Sequence, residues 1–380
     1  MDFQTLCIHG CKNTYDSTGA LGVPIFQSAT FAHPGVGEST GYDYSRSQNP
    51  TREYLECTVA ALEGGTDAIA FSTGMAAASA LMELFSPGDH LIISDDLYGG
   101  THRLFSNISA KNGITFTPLD TPEQMPSAVT PATKAIFIET PTNPMMQVID
   151  IEAVSRLAAE RGLILIVDNT FLTPYFQKPL SLGADIVLHS GTKYLGGHND
   201  TLAGLLVTKD SGLSEKLRFI AKTTGACLSP FDSFLILRGI KTLAVRLERQ
   251  QESAMKIADW LAAQDAVTAV RYPGLKSHHG YEISRRQASG FGAMISFFVK
   301  DEKIAERTLE RVKVIQYAES LGGVESLITY PMLQTHADIP EAERLKKGID
   351  GKLLRLSVGL ESADDLICDL SQALYGEVLA

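Results

Sequence analysis

A lysine that follows a buried strand is the residue of this chain best suited to covalent chemistry. The apolar run 184–188 predicts a short strand, and Lys193 comes shortly after its end. Burial favours the neutral form of an amine, and a neutral amine can form a Schiff base with a carbonyl group. Ser190 and Thr192 precede the lysine and carry short hydroxyl groups that suit a phosphate. A single ligand with an aldehyde and a phosphate would therefore match all three residues.

Pyridoxal 5′-phosphate is such a ligand, and it serves enzymes as an electron sink. Asp168 supports this interpretation, because it ends an uninterrupted apolar strand, where a carboxylate needs a cationic partner. The protonated ring nitrogen of the cofactor would be that partner. Taken singly, each residue has another reading. Ser-x-x-Lys also occurs in serine acylases, a lysine beside a strand can be a solvated charge, and Asp168 can cap the next turn.

A second stretch predicts a binding site for the phosphate. The apolar strand 67–72 turns at Thr73-Gly74 into the small-residue helix 75–82. Glycine at such a turn lets backbone amides approach an anion, and the helix N-terminus favours negative charge. The alternative is a helix of small residues that simply packs closely against its neighbours.

The elements that position these residues alternate between strands and helices from about residue 67 to residue 207. Apolar strands separated by helices predict an α/β fold with a mostly parallel sheet, buried on both faces. Ligands of such sheets bind beyond the carboxyl ends of the strands, which is where Asp168 and Ser190 fall. No G-x-G-x-x-G follows the first strand, which argues against a nicotinamide enzyme.

The chain after residue 246 has a different pattern, typical of a smaller α+β domain. Strands are expected at 293–299, 312–317, 326–329 and 353–358. Arg355 interrupts the last of these apolar strands, and its planar guanidinium matches a carboxylate. An internal salt bridge is the alternative. The predicted organisation is an N-terminal arm at 1–48 that contacts a neighbouring subunit, a cofactor-binding domain at 49–246 and a C-terminal domain at 247–380.

Composition excludes several classes of partner. A net charge of −11 argues against nucleic acid and anionic membranes, and no apolar run is long enough to span a bilayer. The first residues resemble no secretory signal, so a cytoplasmic location is expected.

Five cysteines, an odd number, predict reduced thiols and no disulfide framework. No bound metal is expected, because Cys7-Ile8-His9-Gly10-Cys11 lacks a second ligand pair.

Eight stretches resemble one family, the fold-type I pyridoxal phosphate enzymes of cysteine and methionine metabolism (the trans-sulfuration enzymes). They occur in family order across nearly the whole chain, at residues 44–52, 72–77, 96–101, 139–144, 167–171, 190–198, 318–326 and 354–361. The resemblance implies the aspartate aminotransferase-like fold, with a large, mostly parallel seven-stranded sheet and a smaller α+β C-terminal domain.

The resemblance also implies a role for each matching residue. Lys193 would be the Schiff-base lysine, Asp168 the partner of the ring nitrogen and Tyr98 the residue stacked on the ring. Further cofactor contacts, mainly to the phosphate and the phenolic oxygen, would come from Gly74, Met75, Ser190, Thr192, Asn143 and, from a neighbouring subunit, Tyr44 and Arg46. Arg355 and Ser320 would hold the substrate α-carboxylate, and the implied substrate-binding set is completed by Tyr44, Glu319 and Asn143.

Within the family, the stretches 37–44, 230–233 and 328–336 are most similar to the cystathionine γ-synthases and the O-acetylhomoserine sulfhydrylase-like enzymes. The implied reaction replaces the γ-acyloxy group of an O-acylhomoserine by cysteine, or also by sulfide, in methionine biosynthesis. A cystathionine β-lyase or γ-lyase is the alternative, and a non-catalytic cofactor-binding regulatory protein is a more distant one. Gly100 stands where methionine γ-lyases carry cysteine, which disfavours that subgroup. A homotetramer built as a dimer of dimers is implied, with active sites shared within each dimer.

Overall fold

The computed structural model describes residues 1–11, 19–119, 121–337 and 339–376. Two β-sheets organise these residues, a seven-stranded sheet in the first half and a five-stranded sheet in the second. In the described ranges, no helix has both the length and the apolar character needed to cross a membrane.

The larger sheet is mostly parallel, as predicted. Its strands are β1 Asp67–Phe71, β2 His90–Ser94, β3 Thr115–Leu119, β4 Thr133–Glu139, β5 Ile164–Asp168, β6 Ile186–Ser190 and β7 Gly204–Thr208. They lie in the order β1-β7-β6-β5-β4-β2-β3. Strand β7 is antiparallel to β1 and to β6, and the other neighbouring pairs are parallel.

Both faces of this sheet are buried, which explains the uninterrupted apolar runs of its strands. Successive residues along a strand point to opposite faces, so each strand contributes to two cores. In β5, Ile166 belongs to one hydrophobic cluster, and Leu165 and Val167 belong to the other. The second of these clusters continues into the C-terminal half, where Phe297 and Leu354 are fully buried.

The smaller sheet confirms the predicted α+β architecture. Its strands are β8 Val267–Arg271, β9 Met294–Val299, β10 Gln316–Tyr317, β11 Leu327–Thr329 and β12 Leu353–Ser357, in the order β10-β11-β12-β9-β8. The strand predicted at 312–317 is shorter than expected. Backbone amides of residues 313–315 donate to the carboxylate of Asp369, so only Gln316 and Tyr317 pair with a neighbouring strand.

Helices cover the larger sheet and pack beside the smaller one. They are α1 Phe3–His9, α2 Pro50–Glu63, α3 Gly74–Met82, α4 Gly99–Arg103 (continued by a π-helical turn, Leu104–Ser109), α5 Met125–Ala128, α6 Ile151–Arg161, α7 Thr173–Phe176, α8 Ser211–Thr224, α9 Pro230–Ile240, α10 Leu243–Ala262, α11 Tyr281–Gln287, α12 Glu302–Arg311, α13 Glu341–Lys346 and α14 Ala363–Tyr375, with a short 3-10 helix at Pro179–Leu182.

The structure of the N-terminal region contradicts one sequence-based expectation. The arm predicted at 1–48 contains α1, whose Cys7 is buried, and its residues 12–18 lie outside the described ranges. The expectation that all thiols are reduced is wrong for two of them. Cys11 and Cys57 form a disulfide, because the packing of α1 on α2 brings their Cα atoms to 5.8 Å across 46 residues of sequence. The division of the chain at 48 and 246 stays a prediction, and its second boundary falls within α10.

The fold brings the carboxyl ends of three neighbouring strands to one edge of the larger sheet. Glu139 ends β4, Asp168 ends β5 and Ser190 ends β6. The start of α3 approaches the same edge, since a Cβ placed on Gly74 would lie 3.0 Å from the Ser190 Cβ. This edge is where ligands of open α/β sheets bind.

Gly204→Ala should destabilise the protein, because β7 begins against the turn that leads into α3. A Cβ at residue 204 would lie 2.1 Å from the Thr73 carbonyl oxygen and 2.9 Å from the Gly74 Cα. Overpacking of this kind costs about 1–3 kcal/mol of the free energy of unfolding, measurable by denaturant titration. Gly22→Ala is the control, since no atom lies within 4 Å of a Cβ there. Equal stability of the two variants would contradict the packing described here.

Candidate active site

A cavity of about 350 Å³ opens at this edge of the larger sheet, against β12 and the loop that contains Ser320. Its wall contains every residue predicted from the sequence to bind cofactor or substrate, except two. The predicted residues that line it are Gly74, Met75, Tyr98, Asn143, Asp168, Ser190, Thr192, Lys193, Glu319, Ser320 and Arg355. Tyr44 and Arg46 lie elsewhere on the chain.

Lys193 presents its amine to this cavity. Its Nζ donates a hydrogen bond of 2.9 Å to the Ser320 Oγ. Burial and the positive charge of Arg355 lower the pKa of Lys193 to about 8, against a smaller opposing effect of Glu319. A sizeable fraction of this amine is therefore neutral near physiological pH, as nucleophilic attack on a carbonyl requires.

Arg355 is buried in β12 and held by neutral acceptors. Its Nη1 donates to the Asn143 Oδ1 at 2.8 Å, and its Nη2 donates to the Thr329 Oγ1 at 3.1 Å and to the Ser320 carbonyl oxygen at 3.0 Å. Burial lowers the pKa of Arg355 to about 10, which leaves the guanidinium charged at neutral pH. Among the described residues it forms no ion pair, so its charge is free to bind an anionic ligand.

Ser320 connects the two cations of the cavity. Its hydroxyl accepts from Lys193 and its carbonyl oxygen accepts from Arg355. The residue has a φ of 91°, a left-handed conformation that is costly for a side chain other than glycine. Backbone strain of this kind is found at functional sites, where the surrounding structure imposes it.

Asp168 and Ser190 are connected through a residue that the sequence analysis did not single out. The Thr170 hydroxyl donates to the Asp168 Oδ1 at 2.6 Å and accepts from the Ser190 backbone amide at 2.9 Å. Burial raises the pKa of Asp168, and the hydrogen bonds from Thr170 oppose this effect. A cationic ligand at Asp168 would favour the carboxylate further.

Glu139 is a second residue of the cavity that received no role from the sequence, although it lies in the matching stretch 139–144. Burial and the negative charge of Asp168 raise the pKa of Glu139 well above its usual value. Its Oε2 accepts from the backbone amide of Tyr98 at 3.0 Å, which fixes the residue expected to stack on the ring. Gly100 leaves room for the aromatic ring of Tyr98, since a Cβ at residue 100 would lie 2.5 Å from the Tyr98 Cε1.

The beginning of α3 suits a phosphate. Thr73 caps the helix by accepting from the Ala76 amide at 2.9 Å, and the amides of Gly74 and Met75 in the first turn have no intrahelical acceptor. The Ser190 hydroxyl lies next to Gly74. The Thr192 hydroxyl instead bonds the backbone of Ala203, accepting at 3.1 Å and donating at 3.3 Å, so its role towards a phosphate stays a prediction.

Tyr44 and Arg46 lie apart from this cavity within the same chain. Arg46 lines a separate surface groove, donates to the Lys222 carbonyl oxygen at 2.5 Å and packs on the exposed ring of Tyr44. Neither residue lines the cavity of its own chain.

The cavity matches pyridoxal phosphate in its chemistry. It contains an amine with a lowered pKa for the aldehyde, a carboxylate for the ring nitrogen, and a helix N-terminus with a neighbouring hydroxyl for the phosphate. Cofactor sites of a few hundred Å³ are typical. Together, the fold and this cavity define a pyridoxal phosphate-dependent enzyme of fold type I.

The comparisons with known proteins agree. The model of the Cys/Met metabolism PLP-dependent enzyme family matches residues 4–375, and the chain belongs to this family of γ-replacement transferases and C–S lyases. It is 51% identical to the cystathionine gamma-synthase/O-acetylhomoserine (thiol)-lyase of Bacillus subtilis (94% of this chain and 92% of the relative covered). It is 48% identical to the cystathionine beta-lyase of Lactococcus lactis subsp. cremoris (98% and 99% covered). It is also 45% identical to a solved structure, the cystathionine gamma-lyase of Lactobacillus plantarum complexed with L-serine (TM-score 0.97, 100% and 99% covered).

Lys193→Met should stabilise the cofactor-free protein at neutral pH. Burial lowers the pKa of Lys193 from its ordinary 10.5 to about 8, so below pH 8 folding must bury a charge or release a proton. The lowered pKa of Lys193 therefore reduces the free energy of unfolding by about 3 kcal/mol below pH 8, and this reduction disappears as the pH rises from 8 to 10.5. Denaturant titrations at pH 7 and pH 10 would measure both values.

The exposed Lys216 offers the control. Lys216→Met should change stability little and equally at both pH values. If Lys193→Met gains no stability at pH 7, or gains as much at pH 10, the lysine amine does not carry the burial cost described here.

Proposed function

We propose that the protein joins an O-acylhomoserine to cysteine, releasing the carboxylic acid and forming cystathionine. The observation that carries this proposal is the arrangement of Lys193 and Arg355 around Ser320, with Glu319 at the rim of the same cavity. It provides one amine for proton transfer, one cation for an α-carboxylate and one anion for a second amino group. The homology to a γ-synthase at 51% identity supports the same reaction.

Arg355 would bind the α-carboxylate of the homoserine substrate. The acceptors of Arg355 within the described chain are neutral, so a substrate carboxylate would supply the missing negative charge in a water-poor site. The Ser320 hydroxyl lies beside it and could donate to the same carboxylate once Lys193 moves away. The substrate would then be oriented with its Cα towards the lysine amine.

Lys193 would move the protons of the reaction. Bound pyridoxal phosphate supplies an electron sink for the negative charge that develops on the substrate carbons. The Lys193 Nζ, with a pKa of about 8, is a base of suitable strength for removing protons from Cα and then Cβ. Tyr98, held by Glu139 at the cavity wall, would stack on the ring and is the second candidate for proton transfer.

An adjoining cavity of about 770 Å³ would accept the thiol substrate. It shares Thr192, Glu319 and Ser320 with the first cavity. Glu319 is exposed at the boundary of the two cavities, where its carboxylate could pair with the ammonium group of an incoming cysteine.

Cleavage of cystathionine is the second candidate. A β-lyase at 48% identity and the fold of a γ-lyase favour it. Both eliminations begin with removal of the Cα proton, and γ-elimination also needs proton transfer at Cβ, as the synthase reaction does. In that case Glu319 would hold the distal ammonium group of cystathionine.

Product analysis would separate the two candidates. With O-acetylhomoserine and cysteine, a γ-synthase should accumulate cystathionine, detected by mass spectrometry. With cystathionine alone, a γ-lyase should release cysteine, 2-oxobutanoate and ammonia, and a β-lyase should release homocysteine, pyruvate and ammonia. Lys193→Ala is the control and should show none of these reactions. Rapid cleavage of cystathionine with no net synthesis would contradict the synthase proposal.

The active site would be completed by a second subunit. Tyr44 and Arg46 are exposed and do not line the cavity of their own chain, and we propose that they contact the phosphate bound by a neighbouring chain. Two such dimers would form a homotetramer. We further propose that the enzyme works in the cytoplasm on free amino acids.

Mixing two inactive variants would test the shared site. Arg46→Ala should lose activity because the phosphate loses a charge-assisted contact of about 1.5–3 kcal/mol, and Lys193→Ala because it lacks the amine. A mixed dimer has one site with both changes and one with neither. Random pairing of equal amounts should therefore restore about a quarter of the unmodified activity. Subunit exchange should be verified by mass spectrometry. If activity still does not recover, the active sites are not shared.

A further inference from the structure

A buried carboxylate at the end of α2 contacts the two strands that end in Asp168 and Ser190. Glu63 is the last residue of this helix and is 1% exposed. The helix macrodipole disfavours a negative charge at a C-terminus, and burial disfavours it further. The position is therefore costly unless strong partners hold the carboxylate.

Two fully buried side chains are those partners. The Glu63 Oε1 lies 2.6 Å from the His189 Nε2 and accepts from the Asn169 Nδ2 at 3.0 Å. Asn169 is itself fixed by Gln177, which donates to its Oδ1 at 3.0 Å and accepts from its Nδ2 at 2.9 Å. One carboxylate oxygen thus binds residues that belong to two adjacent strand ends.

The positions of these residues relate Glu63 to the active site. Asn169 directly follows Asp168, and His189 directly precedes Ser190. Neighbouring residues of a strand point to opposite faces, so Glu63 joins the strand ends on the face away from the cavity. Thr170 joins them on the cavity side, by its hydrogen bonds to Asp168 and Ser190. The two strand ends are therefore fixed from both sides.

We propose that Glu63 is a positioning residue for the cofactor, holding the ends of β5 and β6 so that Asp168 and Ser190 match the two ends of bound pyridoxal phosphate. The inference rests on the roles proposed above for Asp168 at the ring nitrogen and Ser190 at the phosphate. Burial raises the pKa of Asp168, and His189 is close enough to act against that effect.

Glu63→Gln keeps the size of the side chain and removes its charge. The dissociation constant of pyridoxal phosphate, measured by titrating the cofactor-free protein and following its fluorescence, should rise about tenfold, as expected for a lost charge-assisted hydrogen bond. The visible absorbance spectrum of the bound cofactor should also change, because Asp168 moves relative to the ring.

Asp369→Asn is the matched control, since Asp369 is a buried carboxylate that holds the backbone at 313–315 outside the cavity. It should lower the melting temperature without changing either cofactor measurement.

If Glu63→Gln lowers the melting temperature as Asp369→Asn does but leaves the dissociation constant and the spectrum unchanged, the inference is wrong. If Glu63→Gln does not fold, Asn169→Ser replaces it, because it removes the contact next to Asp168 and keeps the Glu63–His189 pair. The same tenfold weakening is then expected, and unaltered binding overturns the proposal.

Asp168→Asn measured in parallel separates the positioning role of Glu63 from the cofactor role of Asp168. A spectrum altered by Asp168→Asn but not by Glu63→Gln rejects the positioning role alone, whereas a spectrum altered by neither also rejects the role of Asp168.

Discussion

The cost of burying two cations in one cavity governs the arrangement of this site. Lys193 meets that cost by a lowered pKa, so that it is partly neutral, and Arg355 remains charged among neutral acceptors. The neutral amine of Lys193 can therefore act as a nucleophile and base, and the charged guanidinium of Arg355 can bind an anion. Burial raises the pKa of both Glu139 and Asp168. A cationic ligand beside Asp168 would favour the ionised carboxylate and so offset this effect.

Both sheets are needed to build the cavity. The larger sheet contributes Asp168 and Ser190 at its carboxyl edge, and the smaller sheet contributes Arg355 from β12. Ser320 joins the two halves by contacting Lys193 and Arg355 at once, at the cost of a strained backbone. The residues proposed to hold the cofactor and the substrate carboxylate thus come from different parts of the chain and line one cavity.

Relatives of this chain carry out synthesis and elimination at closely similar levels of identity. Both reactions need an electron sink, a group that binds the α-carboxylate and a mobile base, so the roles proposed for Lys193, Asp168 and Arg355 do not distinguish them. Glu319 and the adjoining cavity are the part of the proposed site that would bind the second substrate, either cysteine or the distal half of cystathionine. We therefore propose that this second cavity is where the requirements of the two reactions differ.

Local sequence determined the parts of this protein that depend on neighbours along the chain. Apolar runs predicted the strands ending in Asp168 and Ser190, and the Thr73-Gly74 turn predicted the start of α3, because strand burial and helix starts are set within a few residues. The cofactor was predicted from Lys193 and Asp168 taken together and from the matching stretches across the chain. Tertiary structure alone decided which distant atoms meet. It placed Ser320 between Lys193 and Arg355, connected Asp168 to Ser190 through Thr170, drew the amides at 313–315 to Asp369, and paired Cys11 with Cys57. These contacts join residues far apart in sequence, and their geometry follows from the packing of whole elements, which no short stretch of sequence encodes.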